Sequence, residues 1–372
     1  MICPDNALVM HRCIRAITGL ALEAKLRSFV IFIVLISGLL NGQTLKANDS
    51  AVVLMYHRFA EDKYPATSIR LEQFRQQLEY LRDTGFEVVS LAEFLAFLTG
   101  KQGLPPKAVV ITIDDAYLSI YKVAWPLFKE YGYPFTVFVS TDAVDAKLPA
   151  YLSWDQIREM ADEGATFANH GAGHIHMVQR LVNESELEWR LRFGEDIDKG
   201  WRRLTEELSG DVAPLAGIFA YPYGEYDTAV ADELTQRGYA AFGQQSGSVG
   251  QYSDRRALPR FPMAEAFAAM SGFRTKAASQ PLPVKEVVPW DPVTTEPLPD
   301  ITITLAEPIE RAAELACFVG GQGRVEVRWL ENGKRFAVGP RQALGKGRQR
   351  VNCTAPKNDG TYLWFSHQWI VQ

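Results

Sequence analysis

Cysteine, histidine and concentrated charge are all scarce in this chain. Only four of its 372 residues are cysteine and six are histidine. So few cysteines exclude a small disulfide scaffold or a cysteine-rich zinc module. Lys and Arg number 39 against 44 Asp and Glu, a net charge of −5 without a long basic block. That balance excludes the electrostatic footprint of a nucleic-acid partner. Hydrophobic residues at 47% and charged residues at 22% are ordinary for a globular protein, and the length allows one large domain plus a small one.

Long apolar runs are also few. The one near the start, Phe29 to Ile36 followed by Ser37-Gly38-Leu39-Leu40, comes after Lys25-Leu26-Arg27. It is shorter than the roughly 20 residues a membrane span needs and suits the core of a signal peptide. Residues 1–47 are therefore expected to be a leader cut near Ala47, which implies export to the periplasm or cell envelope and no stable membrane span afterwards. The alternatives are an uncleaved anchor or a start codon assigned too far upstream. Cys3 and Cys13 would leave with the leader. Cys317 and Cys353 remain, and an exported chain would pair them in a disulfide.

Beyond the leader, apolar runs alternate with helical patterns. Ala51 to Tyr56, Phe86 to Ser90, Val109 to Ile113, Phe135 to Val139, Ala165 to Asn169, Ala216 to Tyr221 and Tyr239 to Phe242 read as strands. Leu71, Phe74, Leu78 and Leu81 recur at helical spacing, Leu91 to Leu98 is a short helix, and Ser153 suits a helix cap. Glu184 to Leu208 is a long amphipathic stretch interrupted near Gly194, with Trp189, Leu191, Ile197, Trp201 and Leu204 as its core stripe. This alternation predicts an α/β fold with a mainly parallel sheet, plausibly a barrel, over residues 48–274. Six prolines between Pro281 and Pro299 make residues 275–300 an expected linker. Residues 301–372 read as a small all-β, sandwich-like domain, with Arg324 to Trp329 as one strand and Asn332-Gly333 as a hairpin turn.

Four of the apolar strands end in unusual polar residues: His57, Asp114-Asp115, Asn169-His170, and Tyr221-Pro222-Tyr223-Gly224. Carboxyl ends of parallel strands are where active sites assemble. Asp-Asp after a strand is by itself an ordinary turn or helix cap, and a single histidine is ordinarily packed in a core. Four of the six histidines (His57, His170, His174 and His176) at or just after strand ends make a common site the better reading. Two histidines with one carboxylate form an open site for a divalent metal such as zinc. A glycosidase using paired carboxylates fits poorly, because adjacent strand residues face opposite sides.

Thr112-Ile113-Asp114-Asp115, His170-x-x-x-His174 and Tyr221-Pro222-Tyr223-Gly224, with Tyr56-His57 upstream, resemble polysaccharide deacetylases of the NodB-homology class, carbohydrate esterase family 4. The motif order is similar to that of poly-β-1,6-N-acetylglucosamine deacetylases. The resemblance spans roughly residues 51–270 and implies a distorted (β/α) barrel of about seven strands. It also implies a hydrolase of non-peptide carbon–nitrogen bonds acting on an acetylated polysaccharide. Asp114 would be the base and Asp115, His170 and His174 the ligands of zinc, or of nickel or cobalt. His57 would be the acid, with His176 as runner-up for acid or ligand, and the Tyr223 backbone N–H would hold the oxyanion. An O-acetyl esterase and an inactive glycan-binding protein are the alternatives. Two departures stand out. Gly171 replaces the Ser or Thr usual after the first metal histidine, losing a supporting hydrogen bond. Ala220 replaces the usual arginine, leaving Arg260 as a candidate tether for Asp114. Tyr221, Tyr223 and Trp154 could stack on sugars or simply pack. Tyr362, Trp364, Phe365 and Trp369 could do either in the C-terminal region.

Overall fold

β-Branched runs build the sheet. Ser50–Tyr56 (β1) and Ala108–Asp114 (β2) are buried along their whole length, as strands covered on both faces must be. In the computed structural model, which describes residues 49–372, they pair in parallel from Val52↔Val109 to Tyr56↔Ile113. Thr136–Val139 (β3), Thr166–Asn169 (β4), Ile218–Ala220 (β5) and Ala240–Phe242 (β6) continue the parallel order outward from β2. Ser248–Gly250 (β7) flanks β1 antiparallel. These seven strands form a curled half-barrel, in keeping with the expected distorted barrel. A two-residue strand, Phe261–Pro262 (β8), also runs parallel to β1. The expected leader, with Cys3 and Cys13, lies outside the described residues. Among the described residues no helix is long and apolar enough to cross a membrane.

Strand alternation divides the core. Leu54, Ile111 and Val137 pack toward the helices, against Phe74, Phe128 and Met160. Val53, Val110, Phe138, Ala168 and Phe242 fill a second cluster on the opposite face. Leu71–Asp83 (α1) turns Phe74, Leu78 and Leu81 inward, while Leu71, at its first turn, is exposed. Leu91–Leu98 (α2), Trp125–Tyr131 (α3) and Trp154–Asp162 (α4) follow. Ser153 caps α4 in a capping box with Gln156, an arrangement that stabilises a helix by about 1 kcal/mol.

Glu186–Glu207 (α5) is one continuous helix of 22 residues, not one interrupted at Gly194. Its glycines mark close approaches. A Cβ at Gly200 would stand 2.6 Å from Asn169 Oδ1 and 2.8 Å from the Gly171 carbonyl oxygen. Gly200 therefore lets α5 press against the loop after β4, and Gly194 makes room for Arg237, whose guanidinium a Cβ there would meet at 2.9 Å, at the helix-propensity cost glycine carries. Its buried stripe includes Trp189, Phe193, Ile197 and Leu204, while Leu191, expected there, faces solvent. Thr228–Gln236 (α6) and Met270–Ala277 (α7) complete the helices.

Residues 275–300, expected as a linker, begin in the end of α7 and contain three short strands. Val284–Val288 (β9) pairs with Ile301–Leu305 (β10). Gln280–Pro281 and Val293–Thr294 lie parallel to the last strand. Proline is tolerated there because these segments are short and lie at the edge of their sheet. Ala316–Val319 (β11), Gly323–Val325 (β12), Arg328–Glu331 (β13), Arg335–Val338 (β14), Gly347–Pro356 (β15) and Tyr362–Val371 (β16) form the rest. One sheet has the order β9-β10-β14-β13 and the other contains β16-β15-β11-β12. The run 324–329 is thus two strands in different sheets rather than one. The Asn332-Gly333 turn joins β13 to β14 as its residues dictate, with Gly333 at φ +70°. Cys317 and Cys353 sit directly opposite each other on β11 and β15 and form a disulfide.

Strand β16 is buried on both sides. Leu363, Phe365, Trp369 and Val371 face the sandwich core. Trp364 packs against the barrel core, its ring centroid 5.1 Å from that of Phe261. The C-terminal aromatics therefore pack, and only Tyr362 is exposed.

Candidate active site

Parallel register brings the strand ends to one rim. Tyr56 is level with Ile113, Asp114 with Phe138, Val139 with Asn169, and Ala220 with Phe242. The polar residues that follow each strand therefore meet. His57 Nε2 lies 3.9 Å from Asp114 Oδ2.

The two adjacent acids take different partners. Asp114 is the last residue of β2, on the same side as Val110 and Thr112, and is completely buried. Asp115 and Ala116 have φ of +75° and +60°, a left-handed turn that few non-glycine residues adopt. That turn swings the Asp115 carboxylate out of the strand alternation and onto the rim. Its Oδ1 stands 3.2 Å from His170 Nε2 and 3.1 Å from His174 Nε2. One ligand atom from each of Asp115, His170 and His174 lies within 4.8 Å of the others.

This trio fits a divalent cation. His170 Nδ1 donates to the Ala220 carbonyl at 2.7 Å; a carbonyl can only accept, so Nε2 carries the lone pair and faces Asp115. His170 Nε2 and Asp115 Oδ1 are buried, and neither has a hydrogen bond of proper geometry among the described residues. Leaving such atoms unpaired is costly, and a cation would satisfy both. Charge agrees. Burial works against the His170 imidazolium, but the Asp115 and Asp114 carboxylates outweigh it and raise the ring above its usual value. Burial likewise opposes the Asp115 carboxylate, and the His170 and His174 contacts prevail, holding it well below the usual range. The pocket favours positive charge where the three side chains meet.

Asp114 has a different partner. Arg260 NH1 and NH2 reach its two carboxylate oxygens, each at 2.7 Å, and both residues are fully buried. Arg260 therefore serves as the tether that Ala220 cannot provide. Burial tends to raise the Asp114 carboxyl, but Arg260, with His170, holds it below the ordinary range. Burial pushes the His57 imidazole down, more than Asp115 and Asp114 raise it.

The glycine-rich loop is held from outside. Asp196 on α5 accepts from the Ala172 N–H at 3.1 Å and the Gly173 N–H at 2.7 Å. Asn169 Oδ1 accepts from the Gly171 N–H at 3.0 Å. A Cβ at Gly171 would overlap Asp196 Oδ2, and Gly171 has φ +76°. The missing Ser or Thr is thus answered by a carboxylate arriving from another element. Nothing in the local sequence marks Asp196, although the unusual glycine at 171 is its indirect trace.

Tyr223 stands over the trio. It has φ +57°, and its ring centroid lies 4.4 Å from that of His174. Its backbone N–H has no acceptor among the described residues. His176 stacks on the Tyr223 ring at 3.8 Å, nearly parallel, and its Nδ1 pairs with Glu225 at 2.8 Å. His176 is therefore engaged away from the trio, and Glu225 is a rim residue that sequence reasoning missed. Tyr221 is buried, with its hydroxyl bonded to the Arg256 carbonyl, and Trp154 bonds Asp145. Of the three aromatics that could have stacked on sugars, only Tyr223 is exposed at the rim.

Comparison with known proteins gives the arrangement a context. Residues 101–242 match the family model for polysaccharide deacetylase, a span holding Asp114, Asp115, His170, His174 and Tyr223 but not His57 or Arg260. A poly-β-1,6-N-acetyl-D-glucosamine N-deacetylase of Escherichia coli K12 is 26% identical over 224 residues, covering 52% of this chain and 33% of that protein. The chain thus spans about a third of that relative. The structure of IcaB from Ammonifex degensii matches with a TM-score of 0.52 and 29% identity, over 62% of this chain and 97% of that one. The Streptococcus pyogenes deacetylase PplD, solved with acetate, shares the fold with a TM-score of 0.52 and 22% identity, over 58% of this chain and 93% of that one. Residues 101–242 thus match a polysaccharide deacetylase domain in sequence, and the fold around them is similar to that of IcaB.

Proposed function

We propose that the protein is a metal-dependent hydrolase that removes N-acetyl groups from an exported or cell-envelope polysaccharide built on N-acetylglucosamine. The observation that carries this reading is the convergence of Asp115, His170 and His174 beside the Asp114–His57 pair. The names of the E. coli relative and of similar deacetylases support the polymer class.

Asp115, His170 and His174 would hold the ion, zinc first and nickel or cobalt as alternatives. Once bound, such an ion supplies Lewis-acid polarisation of an acyl carbonyl and a more acidic water. Asp114, oriented by Arg260, takes the proton of the attacking water. His57 Nε2, 3.9 Å away, passes a proton to the departing sugar nitrogen. The C–N bond breaks, acetate leaves and a free amine stays on the polymer. The N–H of Tyr223 donates to the oxygen on which charge develops. Residues 48–274 hold these groups, and the β-rich region that follows them includes strands from Gln280 onward. A cleaved leader over residues 1–47 would deliver the protein to such a polymer.

The test is acetate release from a panel of poly-N-acetylglucosamine, peptidoglycan, chitin oligomers and an O-acetylated polysaccharide. Intact protein is expected to release acetate from an N-acetylated member, with Asp114→Asn and chelated protein reduced by about a hundredfold or more. Equal activity in all three would remove the assigned roles. Acetate from the O-acetylated polymer alone would make the protein an esterase. Glycan binding without any acetate release would leave a binding protein.

A further inference from the structure

The Tyr223 loop and the Asp114 tether share one support, the segment 243–246 that follows β6. Arg260 Nε donates to the Gly243 carbonyl at 3.1 Å, and the Arg260 N–H donates to the Gln245 carbonyl at 2.9 Å. On the other side Gly224 lies directly against Gln244; a Cβ there would be 2.6 Å from Gln244 Cβ. The sandwich grips both. Ser246 Oγ bonds Asn352 and Ser366, each at 2.9 Å, and receives the Trp364 indole N–H at 3.2 Å. Arg348 NH1 donates to Gln244 Oε1 at 2.9 Å. Gln368, fully buried on β16, donates through Nε2 to the Gly224 carbonyl at 2.7 Å.

Gly224 directly follows Tyr223, and the turn around them is tight. Its internal bonds run from the Gly224 N–H to Tyr221 (2.8 Å) and from the Glu225 N–H to Pro222 (3.2 Å). Tyr223 is held in the left-handed region inside that turn, a conformation that persists only when its surroundings over-determine it. Gln368 is one of the groups that do so, and it comes from outside the span matched by the family model.

Resting on the deacetylase reading, we infer that the C-terminal sandwich is part of the catalytic apparatus, with Gln368 as the positioning residue that holds the Tyr223 N–H on the developing oxyanion. A donor aimed at charge that appears only in the transition state raises kcat without tightening substrate binding. Its misplacement should therefore appear in kcat and not in KM.

The experiment uses the full chain with metal, on whichever glycan the wild type deacetylates. Gln368→Met keeps the approximate volume and removes the donor; Gln368→Glu sets a carboxylate against the Gly224 carbonyl. The expected result is a kcat loss of about tenfold to a hundredfold in Gln368→Met, and a larger one in Gln368→Glu. KM, the pH profile and zinc affinity by chelator competition should stay unchanged. A wild-type kcat in Gln368→Met overturns the inference while leaving the deacetylase reading intact. So does a kcat loss matched by an equal loss of zinc affinity, which would mean general loosening of the rim. Wild-type protein inactive on every glycan overturns both. If Gln368→Met fails to fold, Arg348→Met, which frees Gln244 at the half-buried edge of the same contact, is read by the same criteria with a smaller expected kcat loss.

Discussion

Gly171→Ala puts the support of the loop carrying His170 and His174 to a quantitative test. The new methyl meets Asp196 Oδ2 head on, at a residue whose φ is +76°. The left-handed conformation costs an alanine about 1–2 kcal/mol. Asp196 must also withdraw, weakening charged hydrogen bonds to the Ala172 and Gly173 N–H groups. Each is worth about 1.5–3 kcal/mol when buried, and the Gly173 bond less because it is exposed. The expected destabilisation is therefore about 3–5 kcal/mol, read by urea unfolding with and without zinc. Because His174 ends this loop, zinc affinity should fall by about tenfold to a hundredfold, as when a supporting partner of a ligand is lost. Asp196→Ala removes the obstacle, so the double variant should be more stable than the sum of the single effects by at least about 1 kcal/mol. A Gly171→Ala protein with wild-type stability, or strict additivity in the cycle, would refute the argument that Gly171 is required by the approach of Asp196.

Arg260→Met should cost about 3–5 kcal/mol in urea unfolding, since it leaves the buried Asp114 carboxylate without its cation; an unchanged midpoint would show that the pair contributes nothing. His367 lies in the sandwich with its Nε2 unpartnered among the described residues, and burial pushes its pKa down to about 4. The folded value is below the unfolded one, so the unfolded chain takes up the proton first and stability is lost as pH falls. That loss should reach about 3 kcal/mol between pH 6.5 and 4, and His367→Gln should flatten this part of the stability–pH curve. The Cys317–Cys353 bridge spans 36 residues, a loop whose closure contributes about 4 kcal/mol in the chain-entropy model. Adding reductant to the unfolding titration should lower stability by about 2–4 kcal/mol, and no shift would mean that the bridge adds nothing.

Much of the architecture is legible in the chain because it is written locally. A β-branched run such as Val109 to Ile113 has few conformations open to it except a buried strand. Ser153 with Gln156 three residues later caps a helix through a bond between near neighbours. Asn332-Gly333 turns a hairpin by its own backbone preference. The polar residues at the strand ends were visible for the same reason, and parallel register then brings them to one rim. Arg260 was one candidate among solvated arginines until the fold carried it 146 positions back to Asp114. Asp196 left only the glycine at 171 as a trace, and Gln368 had no sequence signal, because each acts on a loop from a different element. Gly194 reads as a helix break and is instead a place where a neighbouring side chain comes close; the proline-rich stretch reads as a linker and instead pairs along existing sheets. Short-range propensity decides which elements form, as the hydrogen bonds and rotamers involved lie within a few residues. Which side chain satisfies a buried carboxylate, or steadies the Tyr223 turn beside the histidine loop, depends on distances between remote segments, and packing alone sets those.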